Sequence, residues 1–372
     1  MIGAIYPGRF KCFQGERFEL RRLTLLTGVN GAGKSSLVQS LLLMKQAVNT
    51  QSTYVRLNGV DMLRLGQALD VVLGEESLEL AVEDEGGKRR TFRFHASNEE
   101  SLNLSIVPPE HSQDDEPSFP ELHQENFVYL NAERIGPREL FDADSSPEEA
   151  LTVGAQGEYV AQVLQRRGDT FRVLPDLCHP STDRENAGPT LLKQTELWMR
   201  DLIPDLEIRA LTLPGVTAAA LRFKKRGPHD DWVRPANMGF GVSYTLPIIV
   251  AGLLAMPGHL LVIENPEAHL HPQGQSRIGR FLALLAAKGI QVLVETHSDH
   301  VLNGIRLAAT DEHPLRPEDV LIHFFSGRRQ DNVAIAEAIT VTRRGSLSAW
   351  PLGFFDQSER DLAAIIRGRR NG

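Results

Sequence analysis

The hydrophobic pattern changes period several times along the chain, and each change predicts an element. Residues 23–27 form a short strand-like apolar run, and apolar positions at helical spacing follow over 37–45. Over 50–126 the pattern alternates instead. Leu78-Glu79-Leu80-Ala81-Val82 and Thr91-Phe92-Arg93-Phe94 flank Glu85-Gly86-Gly87-Lys88, which predicts a hairpin in a small antiparallel lobe. Phe127-Val128-Tyr129-Leu130 reads as a strand. Residues 147–235 are mixed, with helical spacing over 158–167 and 191–202 and strand-like runs over 208–213 and 217–223. From residue 258 the order is regular: strand 260–263, helix 273–288, strand 290–294. These last strands are apolar throughout rather than alternating, which suits a parallel sheet covered on both faces. The predicted class is α/β, with a β-rich subdomain at 50–126, a helical or mixed lobe at 147–240 and a small C-terminal segment at 341–372.

Composition narrows this only a little. The chain has 372 residues, 41% hydrophobic and 24% charged, as an ordinary globular protein does. The apolar run over 246–256 is too short to span a bilayer and contains Pro247 and Gly252. The first ten residues lack the layout of a secretion signal. Cys12 and Cys178 do not make a disulfide framework. The expectation is a cytoplasmic protein with no membrane contact. A net charge of −8 argues against a globally basic nucleic-acid binder but leaves local DNA contact open. The small basic clusters Lys224-Lys225-Arg226 and Arg367, Arg369, Arg370 read as solvated surface charge. The stretch 108–120 is acidic, polar and proline-bearing, and reads as a mobile loop.

The chemistry begins at Gly28-Val29-Asn30-Gly31-Ala32-Gly33-Lys34-Ser35. Two glycines bracket four residues and are followed by Lys and Ser, between a strand and a helix, as in a phosphate loop. Backbone N–H groups of such a loop curl around phosphate oxygens, and the helix aims its positive end at the same anion. Asn30, Gly31, Ala32, Gly33, Lys34, Ser35 and Ser36 are the expected nucleotide contacts. Lys34 would reach the β- and γ-phosphates, and the Ser35 hydroxyl would ligate Mg²⁺. The buried strand 260–263 ends in Glu264-Asn265-Pro266-Glu267, where a Mg²⁺-organising carboxylate belongs. The strand 290–294 ends in Glu295-Thr296-His297-Ser298, where His297 would sense a γ-phosphate.

With Ala268-His269-Leu270-His271-Pro272 added, these segments resemble ABC-type ATPases. They are similar to the bacterial ATPases related to the structural-maintenance-of-chromosomes, RecF and OLD families. Asn237-Met238-Gly239-Phe240-Gly241-Val242-Ser243-Tyr244 occupies the place of the signature motif, with Gly239, Gly241 and Ser243 as its loose match. Trp350-Pro351-Leu352-Gly353-Phe354-Phe355-Asp356-Gln357 resembles an uncharacterised C-terminal domain found in some of these proteins. The resemblance implies an ATPase domain over 1–340, with ATP and Mg²⁺ as cofactors and Ser35 and Glu264 on the metal. It implies a head-to-tail homodimer or higher homo-oligomer, in which each ATP is sandwiched between one phosphate loop and the partner's signature segment.

One departure bears on rate. The family's second acid is Asn265 here, and an amide cannot accept the proton of the attacking water. General-base help is worth about 10²–10⁴-fold, so hydrolysis is expected to be slow unless Glu267 or Glu295 supplies the carboxylate. Arg134 has two equal readings, nucleotide contact or carboxylate pairing. Gln39 and Gln46 read as surface or packing residues on the first helix, Asp299 as an orienter of the His297 loop. His269 and His271 read as packing residues of an interface loop rather than metal ligands. Only about 75 residues follow His297, too few for the Toprim nuclease of OLD proteins. The resemblance therefore implies a switch that controls a separate, nuclease-like effector in phage defence or DNA metabolism. The alternatives are a DNA-repair ATPase binding DNA directly, and a nucleotide-binding scaffold with negligible hydrolysis.

Overall fold

A computed structural model describes residues 1–72, 77–108, 117–212, 215–225, 231–310 and 315–370, the side chains of 358, 359 and 367–370 excepted. Most of the acidic stretch 108–120, together with Arg226 and the tail arginine side chains, therefore lies outside the described residues.

The chain opens with β1 (Ile2–Gly8), β2 (Phe18–Glu19), β3 (Leu23–Gly28) and α1 (Lys34–Asn49). Then come β4 (Tyr54–Arg56), β5 (Ser77–Asp84), β6 (Arg89–His95), β7 (Asn103–Val107), β8 (Phe127–Leu130) and β9 (Phe141–Asp142). The middle holds α2 (Val160–Arg167), α3 (Leu191–Arg200), β10 (Leu206–Thr212), β11 (Ala218–Lys225) and α4 (Phe240–Leu254). The last third runs β12 (Leu260–Glu264), α5 (Pro272–Ala287), β13 (Gln291–Glu295), α6 (Asp299–Ala308), β14 (Val320–Arg328), β15 (Ala334–Thr340) and α7 (Gln357–Arg370).

The organising element is a six-stranded sheet in the order β15-β14-β3-β13-β12-β8. Its strands are parallel except for the β15 edge. β12 and β13 are buried along their whole length, which is why they read as unbroken apolar runs. Alternate residues nevertheless enter different cores. Leu261, Ile263, Val292 and Val294 pack with residues of α4, α5 and α6. Leu260, Val262 and Leu293 pack with α1 and the small antiparallel sheet. The sheet thus divides the molecule into two cores.

The second sheet differs from its sequence-based outline. Its order is β2-β1-β5-β6-β7-β4, so the lobe expected over 50–126 draws in two N-terminal strands. The β5–β6 hairpin turns at Glu85–Lys88 as its residues predict, with Gly87 at φ 82°. The middle lobe adds a third sheet, β10-β11-β9, beside α2 and α3. The apolar run near 246–256 lies mostly in α4, a buried core helix despite Pro247. Among the described residues no helix is long and apolar enough to cross a membrane. After β15, Phe354 packs edge-on against Phe324 of β14, ring centroids 5.2 Å apart. α7 then runs on with Leu362, Ile365 and Ile366 exposed.

β3 is the pivot for the site. The chain enters the sheet there, between β13 on one side and β14 on the other. Ligands of open α/β sheets collect at such a switch point, beyond the carboxyl ends of the strands.

Candidate nucleotide site

The loop after β3 is shaped by its neighbours. A Cβ on Gly28, at φ 130°, would lie 2.1 Å from the Phe325 carbonyl oxygen on β14, so only glycine lets the loop leave the sheet here. The Val29 N–H donates to that same oxygen at 3.0 Å. Gly33, at φ 124°, is the N-cap of α1, and a Cβ there would meet the Cys12 sulfur at 2.9 Å. No side chain caps α1 and no acid occupies its first turn, so its leading N–H groups are left for an anion. This cradle fits a phosphate.

Lys34 is buried, and its ammonium donates to the Gly28 carbonyl at 3.1 Å and to the Val29 carbonyl at 2.8 Å. Burial lowers its pKa, while the nearby Glu295 charge opposes the shift. Ser35 is exposed, and its hydroxyl donates to Oε1 of Glu295 at 3.1 Å. Ser36 lies beside Cys12, whose thiol pKa is raised by burial and held back by Arg328 and Ser36. Asn30 and Gly31 lie on the open side, whereas Ala32 is buried in the α1 core.

Glu264 and Glu295 end neighbouring strands in direct register. Glu264 accepts from the Tyr129 hydroxyl at 3.0 Å and from the Ala132 N–H at 3.3 Å. Burial pushes its pKa up against those donors. Glu295 is raised to about 7, first by burial and then by the Glu264 charge, with Lys34 and Ser35 opposing. Tyr129 in turn accepts from the Asn131 amide at 2.8 Å, and burial beside Glu264 raises its pKa.

Arg134 makes no ion pair with a carboxylate among the described residues. Its guanidinium donates to the carbonyls of Tyr244 at 3.0 Å, Asn131 at 2.9 Å, Glu264 at 2.6 Å and Asn265 at 2.6 Å. It clamps β8's exit, the end of β12 and α4 into one unit. Burial lowers its pKa to about 10, the carboxylates of Glu267 and Glu264 opposing.

Asn265 sits at φ 45°, a conformation asparagine tolerates better than most residues. Its N–H donates to the Glu295 carbonyl at 2.8 Å, and its side-chain amide has no hydrogen-bond partner among the described residues. Glu267 accepts from the Thr296 hydroxyl at 2.7 Å and from the His297 N–H at 2.8 Å, bracing one strand-end loop against the other. His297 itself is exposed. Its pKa is lowered by burial of part of the ring and by Lys34, with Glu267 opposing, which places it in the electrostatic field of the loop lysine. Ser298 then caps α6, accepting from the His300 and Val301 N–H groups at 3.1 Å each.

The candidate signature segment divides in two. Gly239, at φ 83°, is the N-cap of α4, and Phe240 beside it is 54% exposed. Gly241 is half-buried, while Ser243 points inward at 7% exposure and its hydroxyl has no partner. Ser243 therefore does not share the exposed face of Gly239. His269 and His271 act within the chain. His269 packs on the rings of Tyr244 at 4.6 Å and Phe240 at 5.2 Å, and His271 caps α5. Gln46 bonds both backbone groups of Arg56, and Gln39 accepts from Lys11, so both are packing residues. Tyr129, Asn131 and the roles of Arg134 and Glu295 are what the sequence reading missed. The signal of Tyr129, Arg134 and Glu295 is faint because each acts through a partner distant in sequence.

Residues 186–303 match a family described as "AAA domain, putative AbiEii toxin, Type IV TA system", and residues 315–365 match "Protein of unknown function (DUF3696)". A search of curated proteins finds no match. Among solved structures, an Smc head domain with an extended coiled coil, bound to the C-terminal domain of ScpA derived from Pyrococcus furiosus, superposes with a TM-score of 0.54 at 12% identity, covering 98% of this chain and 99% of that one. A second SmcHead, bound to the C-winged helix domain of ScpA, gives 0.49 at 14% identity over 92% and 98%. The SMC head domain from Thermotoga maritima gives 0.42 at 16% over 90% and 98%. The chain has the fold of an SMC head domain. The matched AAA region holds α4, β12, β13 and the His297 turn, while the phosphate loop lies well before it in sequence.

Proposed function

We propose that this protein is a slow, ATP-gated switch that closes as a homodimer around nucleotide and controls a separate partner protein. The observation that carries the reading is the hydrogen bond between Ser35 and Glu295, which are 260 positions apart. It joins the phosphate loop to the acidic strand ends, so that one place offers an anion cradle, a cation corner and, at His297, an exposed imidazole. Residues 30–35 would hold the phosphates of ATP, with Lys34 released from its loop carbonyls toward them. Ser35 and a strand-end carboxylate would hold Mg²⁺, which when bound neutralises phosphate charge. Glu267 keeps the His297 turn in place.

The dimer rests on Gly239 and Phe240. They stand exposed at the N-terminus of a long helix, and such a terminus completes an anion cage from across an interface. A partner protein is supported by the likeness to an Smc head bound to a ScpA domain. The toxin–antitoxin description of the AAA family supports a setting in which a second component responds. Slow hydrolysis rests on Asn265, whose free amide can orient water but not deprotonate it. The same residue favours the second reading, a nucleotide-binding scaffold with negligible turnover.

The test is ATP turnover with mass measured with and without ATP–Mg²⁺, for the native chain, Lys34→Ala and Asn265→Asp. Aspartate is the better probe than glutamate because it tolerates φ 45°. Slow turnover, lost in Lys34→Ala and raised in Asn265→Asp by up to about 10²-fold, with dimerisation on ATP, is the expected result. Native turnover near 1 s⁻¹ or above, roughly the lower range of ordinary enzymes, would sink the slow switch. Binding without turnover or change in mass would leave the scaffold.

A further inference from the structure

Of the two glutamates that end β12 and β13, one has its oxygens occupied and the other does not. Glu264 receives Tyr129 on one oxygen and Ala132 on the other. Glu295 is 6% exposed and receives only the Ser35 hydroxyl, on Oε1. Its Oε2 is buried with no hydrogen-bond partner. A buried carboxylate oxygen without a partner is costly, so the position calls for a group not supplied by the folded chain. Lys34 does not supply it, because its ammonium donates to the Gly28 and Val29 carbonyls.

The chemistry of the contact indicates what is missing. A serine that ligates a cation does so through an oxygen lone pair and must turn its proton away from the metal. Ser35 turns its proton onto Glu295. That leaves the lone pairs of the exposed Ser35 hydroxyl available, next to a carboxylate whose second oxygen has no partner. No cluster of three His, Cys, Asp or Glu side chains is present among the described residues, so the chain alone builds no closed metal cage. A hard cation that keeps waters and shares its shell with phosphate oxygens fits such a two-point corner.

We infer that Glu295, acting with Ser35, is the carboxylate that holds Mg²⁺ in the nucleotide complex, and that Glu264 is a positioning residue fixed by Tyr129. The inference rests on the nucleotide-binding reading above and reverses the assignment that the resemblance implies for Glu264. Glu264 lies in register beside Glu295 and shapes its surroundings without needing to touch the metal.

The experiment uses the full chain loaded with a non-hydrolysable ATP analogue. Mn²⁺ binding is followed by the loss of the free-ion paramagnetic resonance signal, and analogue affinity is measured separately in EDTA. Glu295→Gln is expected to weaken Mn²⁺ binding by about 10–100-fold while analogue affinity in EDTA stays near native. Glu264→Gln is expected to change Mn²⁺ binding by less than about threefold, well below the loss expected on removing a group that holds the ion. The opposite ranking, or equal losses in the two variants, overturns the inference. If Glu295→Gln fails to bind analogue in EDTA, Glu295→Asp replaces it. Aspartate keeps the charge but draws the carboxylate back, so an intermediate loss of Mn²⁺ affinity supports the inference and native affinity overturns it. A native chain that binds no analogue even in EDTA refutes the nucleotide reading, an outcome separate from those that rank the two glutamates.

Discussion

Arg134 concentrates more of the site's architecture than any other single side chain. At 3% exposure it satisfies four backbone carbonyls drawn from three parts of the chain. Removing it takes a donor from each of them, although the Asn265 carbonyl keeps the Ala268 N–H, and a buried acceptor left unpaired costs roughly 1–3 kcal/mol. Arg134→Met, which keeps most of the stem, is expected to lower stability by about 2–4 kcal/mol in urea unfolding. A loss under about 1 kcal/mol would mean that water reaches those carbonyls. None of this was legible in Ala132-Glu133-Arg134. The phosphate loop was legible because its chemistry is written in consecutive residues. The clamp was not, because its acceptors are main-chain oxygens, identical for every residue type and up to 131 positions away. Glu295 fell between the two cases. It was visible as an acid ending a strand, but its contact with Ser35 depends on which strands are neighbours. Ser243 shows the converse limit, since a motif match says nothing of which way a helix turns its side chain.

Between elements, the joint that matters is where the small antiparallel sheet meets the parallel one. Gln291, at the start of β13, exchanges hydrogen bonds with both backbone groups of Ile2 on β1, at 3.0 and 2.6 Å. His323 on β14 bonds through Nε2 to the Glu19 carbonyl on β2 at 2.7 Å, with the Phe18 ring edge-on at 5.6 Å. Burial holds the His323 pKa below its ordinary value, and Arg21 pushes the same way, against the Glu19 carbonyl and carboxylate. The folded chain therefore takes up this proton only at lower pH than the unfolded chain, which takes it up near pH 6.5, about the ordinary histidine value. The unfolded state binds more protons below that point, so stability from this site is present above about pH 6.5 and is lost as pH falls. Melting temperatures of the native chain and His323→Gln, compared from about pH 7.5 down to 5.5, should show a steeper acid loss in the native chain. Parallel slopes would remove His323 as the cause. The runs that became β12 and β13 were readable because burial on both faces demands apolar residues throughout. The recruitment of β1 and β2 into the small sheet was not, because antiparallel partners such as Tyr6 and Ala81 meet only after a long excursion of chain.

For the whole molecule, the proposed dimer makes the face around Phe240 an interface, and the exposed ring its most apolar feature. Phe240→Arg is expected to abolish the ATP-dependent doubling of mass in light scattering, with nucleotide affinity of the monomer unchanged. Retained doubling would move the interface elsewhere. The position of β3 has a further consequence, for how the protein is made. β3 lies between β13 and β14, which leave the ribosome long after it. With the Ser35–Glu295 contact spanning 260 positions, translation at roughly 5–20 residues per second holds the finished phosphate loop without its sheet partners for roughly 13–50 s. During that interval both edges of β3 are unpaired, and Leu23 and Leu25 lack the core they share with α4, α5 and α6, although Leu26 already has α1 and the small sheet beside it. The nascent chain should therefore depend on chaperones until β14 emerges, and a pause in translation before residue 291 should reduce the yield of soluble protein more than an equal pause after residue 328.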